Sequence, residues 1–149
     1  MKRLALITIL IVAVFILNNK VYGQSSSKLV EFCVGCAGED ATYQKDFPVE
    51  LEPAGPDGKA PQQKITVVLQ KNIQYRFTVC SSENSEGKAY LQLYDMTRLY
   101  LSTYNASTGQ IYKSFDFQCQ KTGPYHIFIQ MVDGKKGSAV AILSFVKTL

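Results

Sequence analysis

The feature that most constrains this chain is a two-residue alternation of apolar and polar side chains, repeated in short segments from about residue 28 onward. Side chains along an extended strand point alternately to opposite faces, so such alternation buries one face of a sheet and wets the other. Tyr75, Phe77 and Val79 then look inward while Gln74, Arg76 and Thr78 face water; Phe115 and Phe117 do the same against Ser114, Asp116 and Gln118. Segments of this kind fall at 28–34, 47–52, 65–70, 73–80, 89–94, 99–104, 112–119, 125–132 and 138–146, separated by turn residues. After residue 23 the sequence is read as holding no apolar run at i, i+3, i+4 and i+7, and no helix is expected there. The expectation is an all-β protein, a single antiparallel β-sandwich of jelly-roll-like form.

Two segments depart from clean alternation. Ile127, Ile129 and Met131 share one face but Phe128 stands on the other, and 139–146 is apolar on both sides. A strand covered on both faces reads as a continuous apolar run, which places these two segments in the middle of sheets. Asp133-Gly134 between them is a turn signal and predicts a hairpin, with Lys135 and Lys136 at its solvated tip. Residues 52–61 hold three prolines and two glycines and are expected to form a loop. The sandwich core is therefore assigned to 65–149, and 24–64 to an N-terminal extension within the same domain.

Met1-Lys2-Arg3 followed by the uncharged apolar run 4–17 reads as an export signal. The run is shorter than the roughly 20 residues a spanning helix requires. Val21-Tyr22-Gly23 fits a cleavage site, so 1–23 is the expected signal peptide and the mature chain begins at Gln24. No stable membrane span is expected after cleavage, and the product is secreted or held in the periplasm or cell envelope. Removing 23 of 149 residues leaves 126, the size of one domain. Lys2, Arg3 and Lys20 leave with the signal, so 16 basic residues become 13, against 12 acidic ones. A mature chain near neutrality with dispersed lysines lacks the concentrated basic face that nucleic acid demands.

Cys33, Cys36, Cys80 and Cys119 make an even set in an exported chain, for which structural disulfides are the default. Four cysteines allow three pairings; the preferred one joins Cys33 to Cys36 and Cys80 to Cys119. Cys33-Val-Gly-Cys36 also has the spacing of a redox pair, but such pairs open a helix. A zinc site would need further ligands, and His126 is the only histidine. No nucleophile stands in an elbow context to pair with His126. Neither catalytic residues nor a cofactor is implied. The remaining signal is a tyrosine row: Leu91, Leu93, Leu99 and Leu101 share the inward parity, leaving Tyr90, Tyr94, Tyr100 and Tyr104 on the other face. Paired, these segments would present an aromatic patch with polar tips, suited to sugar rings or a protein partner.

The stretches Tyr75-Arg-Phe-Thr-Val79, Leu91-Gln-Leu-Tyr-Asp95, Phe115-Asp-Phe117 and Thr122-Gly-Pro-Tyr-His-Ile127, with the final apolar strand, resemble the bacterial pre-peptidase C-terminal domain. The resemblance runs from about Ile65 to the end. It implies an antiparallel sandwich of eight or nine strands that is non-catalytic and serves secreted enzymes in targeting or binding. The expected function is that of an exported binding or accessory module recognising a glycan or protein at the envelope. The alternatives are a structural subunit of an envelope assembly, or a thiol-disulfide oxidoreductase using Cys33 and Cys36.

Overall fold

A computed structural model describes the backbone of residues 23–149 and the side chains from Ser27 onward. The expected signal peptide lies outside the described residues except for Gly23. Among the described residues, one α-helix, α1 (Gly23–Cys36), precedes ten strands: β1 (Thr42–Leu51), β2 (Gln62–Leu69), β3 (Ile73–Ser81), β4 (Ala89–Tyr94), β5 (Leu99–Ser102), β6 (Tyr104–Asn105), β7 (Gln110–Ile111), β8 (Ser114–Gln118), β9 (Gly123–Met131) and β10 (Gly137–Thr148). All pairings are antiparallel. Sheet A runs β1-β10-β3-β8, sheet B runs β2-β9-β4-β5, and β6 with β7 forms a small separate ribbon. The two sheets close over a core that includes Phe77, Leu69, Leu91, Leu93, Ile127 and Ile129. The all-β sandwich expected from the alternation is the fold observed.

Residues 42–51, read in the sequence as part of an extension, supply an edge strand of sheet A. Phe47, Val49 and Leu51 of that strand enter the main core. The loop expected at 52–61 separates β1 from β2. β10 lies between β1 and β3 and is buried on both faces, as its unbroken apolar run requires: Ala139, Ala141 and Leu143 join the main core, while Val140 and Ile142 face outward into a second, smaller one. That second core exists because a helix covers sheet A.

The helix corrects the sequence reading. Residues 28–34 do not form a strand; Leu29, Val30, Val34 and Cys36 pack from α1 against Cys33, Cys80, Val140 and Ile142. Counted as apolar, Cys33 and Cys36 join Leu29 at i, i+4 and i+7, with Val30 and Val34 beside them, a buried helical stripe where the sequence reading expects none. The cover also explains why Thr78, expected to face water, is wholly buried. The disulfide differs as well, joining Cys33 to Cys80 across 47 residues, with Cys36 and Cys119 as free thiols. Successive strands expected to pair as a hairpin, β9 and β10, belong to opposite sheets instead. Asp133 and Gly134 both adopt left-handed backbone (φ 60° and 61°) and turn the chain from sheet B to sheet A. A tight turn carries no information about which sheet its second strand will join.

Helix α1 ends where Gly38 takes a left-handed conformation (φ 87°). Arg76, on the covered face of β3, reaches this end. Its Nη1 donates to the carbonyl of Ala37 at 2.6 Å and to Asp40 at 2.7 Å, and its Nε donates to Asp116 at 2.6 Å. A guanidinium at a helix C-terminus satisfies orphan carbonyls and opposes the negative end of the dipole. Hydrogen bonds from Arg76 hold the carboxyls of Asp40 and Asp116 below their ordinary range. A carboxyl with a lowered folded-state value adds stability above its unfolded value, near pH 4, and that stability drains as pH falls through the folded value. Arg76→Gln is expected to cost about 1–2 kcal/mol at pH 7, and to flatten the loss of stability below pH 4, both readable from urea unfolding across a pH series.

Candidate binding surface

The outer face of sheet B carries no helix among the described residues, in contrast to sheet A. Cross-strand register orders its side chains into rows. Gln62, Gln130 and Tyr90 lie side by side on β2, β9 and β4; Lys64, Phe128 and Gln92 form the next row; Thr66, His126 and Tyr94 the one after. Rings and amides thus share one surface. Phe128, which broke the alternation of its segment, points outward here because β9, though central in its sheet, is covered on one face only.

Contacts fix several of these groups. The Tyr90 hydroxyl donates to Gln130 Oε1 at 2.5 Å, and Gln130 Nε2 donates to Gln62 Oε1 at 2.6 Å. Tyr90 and Tyr104 stack with ring centroids 5.1 Å apart, and burial together with these neighbours raises the Tyr90 hydroxyl above its ordinary value. Tyr94 meets Phe128 edge to face at 5.3 Å, and the ammonium of Lys64 lies over the Phe128 ring at 5.7 Å. His126 hydrogen-bonds Thr66 through Nδ1 at 3.0 Å. A groove of about 380 Å³ lies between Gln62, Lys64, Tyr94, His126 and Phe128 and the β4–β5 turn.

The β4–β5 turn walls one end. The Asp95 carboxylate accepts the backbone N–H groups of Thr97 (2.9 Å) and Arg98 (2.8 Å), which hold it below the ordinary carboxylate range. Met96 projects at its tip, 78% exposed.

The expected tyrosine row is brought together in part. β4 and β5 do pair, but the register shifts between Leu93 and Tyr94, so that Leu93 opposes Leu101 while Tyr94 opposes Leu99. Leu99, expected inside, is exposed; Tyr100 is also exposed, as expected, but its ring lies against Phe117 (5.3 Å) and Tyr125 (6.0 Å) at the rim of the core and away from the other tyrosines. Tyr90, Tyr94 and Tyr104 remain near one another; Tyr100 does not join them. Phe128 and the three glutamines were missed, although their parity opposite Ile127, Ile129 and Leu91 was readable.

Cys33-Val-Gly-Cys36 closes α1 instead of opening it, and Cys33 is engaged with Cys80. The negative end of the helix dipole therefore faces the motif, the reverse of the environment that stabilises a redox thiolate. Cys119 is buried beside the Tyr125 hydroxyl at 3.7 Å. No group of three or more His, Cys, Asp or Glu side chains suited to a metal occurs among the described residues. None of the described helices is long and apolar enough to cross a membrane.

The fold is similar to that of the periplasmic inhibitor of g-type lysozyme from Aeromonas hydrophila. The TM-score is 0.51, with 70% of this chain and 87% of that one covered at 9% identity. A second solved structure, the pre-peptidase C-terminal domain of a collagenase from Bacillus anthracis, matches with a TM-score of 0.46, covering 68% of this chain and 90% of that one at 15% identity. No family model and no curated protein matches the chain.

Proposed function

We propose that the chain is an exported, non-catalytic binding module that engages a glycan or protein of the cell envelope through the outer face of sheet B. The observation that carries this reading is the asymmetry of the sandwich. Sheet A buries its outer face beneath α1, whereas the outer face of sheet B carries the pair Tyr94 with Phe128, and Tyr90 there meets Tyr104 of the β6–β7 ribbon, with no helix over them among the described residues. Aromatic side chains with polar tips supply contact area at low entropic cost, the composition of recognition surfaces. The similar Aeromonas sandwich is described as a periplasmic inhibitor of g-type lysozyme, which supports an exported, non-catalytic role for a fold of this kind.

Co-sedimentation of the mature chain with insoluble envelope material tests the reading. Tyr94→Ala combined with Tyr104→Ala is expected to reduce the bound fraction at least tenfold, while Tyr100→Ala leaves most of it. Equal binding by the double variant would remove these tyrosines from the site.

A further inference from the structure

Resting on the reading of this face as a binding surface, we infer that its ligand is a neutral glycan chain. The carrying observation is that primary amides and aromatic rings share a single groove: Gln62, Gln92 and Gln130 line it together with Tyr94 and Phe128, and Gln92 is the cross-strand neighbour of Phe128. A primary amide offers two donors and an acceptor on one rigid plane, which matches neighbouring hydroxyls that each donate and accept. Ring faces pack against the apolar C–H faces of a sugar. Outward positions lie about 4.8 Å apart across strands and about 6.7 Å apart along them, so neighbouring pyranose units can meet Phe128 and Gln92 across β9 and β4, or Gln92 and Tyr94 along β4.

Preorganisation points the same way. Gln130 is held between Tyr90 and Gln62, so the one N–H and the one lone pair its amide has left are oriented before any ligand arrives. The charge balance excludes a strongly ionic ligand. Lys64 brings one ammonium to the groove, and the one carboxylate, Asp95, is committed to the turn N–H groups of Thr97 and Arg98. Recognition of a polyanion would call for clustered cations able to form charge-assisted hydrogen bonds. A volume of about 380 Å³ suits a short stretch of sugar units.

Isothermal titration of the mature chain with neutral hexasaccharides of glucose, N-acetylglucosamine and mannose decides the matter, with hexagalacturonate as the charged control. At least one neutral hexasaccharide is expected to bind, tenfold or more tighter than the charged one. Gln130→Ala and Phe128→Leu should each weaken that binding at least tenfold with melting temperatures kept within a few degrees. If no neutral hexasaccharide binds at millimolar concentration, the glycan assignment is overturned; the surface reading then stands or falls separately, on whether envelope material still binds and requires Tyr94 and Tyr104. If a neutral sugar binds and ignores both substitutions, the assignment of the ligand to this groove is overturned.

Discussion

Removing the Cys33–Cys80 bridge, as the double variant Cys33→Ala/Cys80→Ala, is expected to lower the unfolding free energy by about 4 kcal/mol. The bridge closes a loop of 47 residues, and cross-linking a loop of that length removes this much entropy from the unfolded chain in the loop-closure model. For a domain of this size the loss corresponds to a fall in melting temperature on the order of 10–20 °C. The location of the bridge adds a local effect. The second core beneath α1 is small, and two buried hydroxyls of sheet A, Thr78 Oγ1 and Ser144 Oγ, have no hydrogen-bond partner among the described residues. Unpaired buried hydroxyls disfavour the covered state. Hydrogen exchange in the double variant should therefore accelerate most over residues 27–36, while β3 and β9 keep the slowest amides. An unchanged melting temperature would show that the bridge is not a constraint on this fold.

Phe77→Ala is expected to cost about 3–5 kcal/mol, because the side chain is wholly buried and the space it vacates cannot collapse between two sheets. Phe77 sits on β3, which is paired on both sides, opposite Leu143 on β10 and Phe115 on β8, with its ring 5.5 Å from that of Phe115. Phe128→Ala deletes a side chain of the same size from the outer face of sheet B, where water fills the space, and is expected to cost less than about 1.5 kcal/mol. Urea unfolding of the two variants compares inside with outside directly. Similar losses would mean that the outer face is covered in solution.

The inward half of the sandwich was legible in the sequence because its signal is local: alternation placed Tyr75, Phe77, Val79, Leu91 and Leu93 in the core, and an unbroken apolar run marked β10 as central. The helix was hidden by how its cysteines were read. Cys33 and Cys36 complete the helical stripe only when counted as apolar side chains, and a reading of them by their sulfur chemistry does not register it. Pairing of distant cysteines depends on which elements pack together, and alternation along single strands does not contain that. The candidate surface was half legible for a similar reason. Parity along β4 gave Tyr90 and Tyr94 correctly, but beyond the register shift at the β4–β5 turn the Tyr100 ring lies at the core rim. That Gln62, Gln130 and Gln92 lie near one another becomes visible only once β2, β9 and β4 are aligned side by side.

The central claim is that the uncovered face of sheet B, and not the helix-covered face of sheet A, meets the partner. An amide nitrogen–proton correlation map of the labelled mature chain, recorded during titration with solubilised envelope material, tests it most directly. The account predicts shifts concentrated at Gln62–Thr66, Tyr90–Tyr94 and His126–Gln130, with α1 silent. Shifts centred on α1 and the neighbouring residues of β10, with β4 and β9 unmoved, would contradict it.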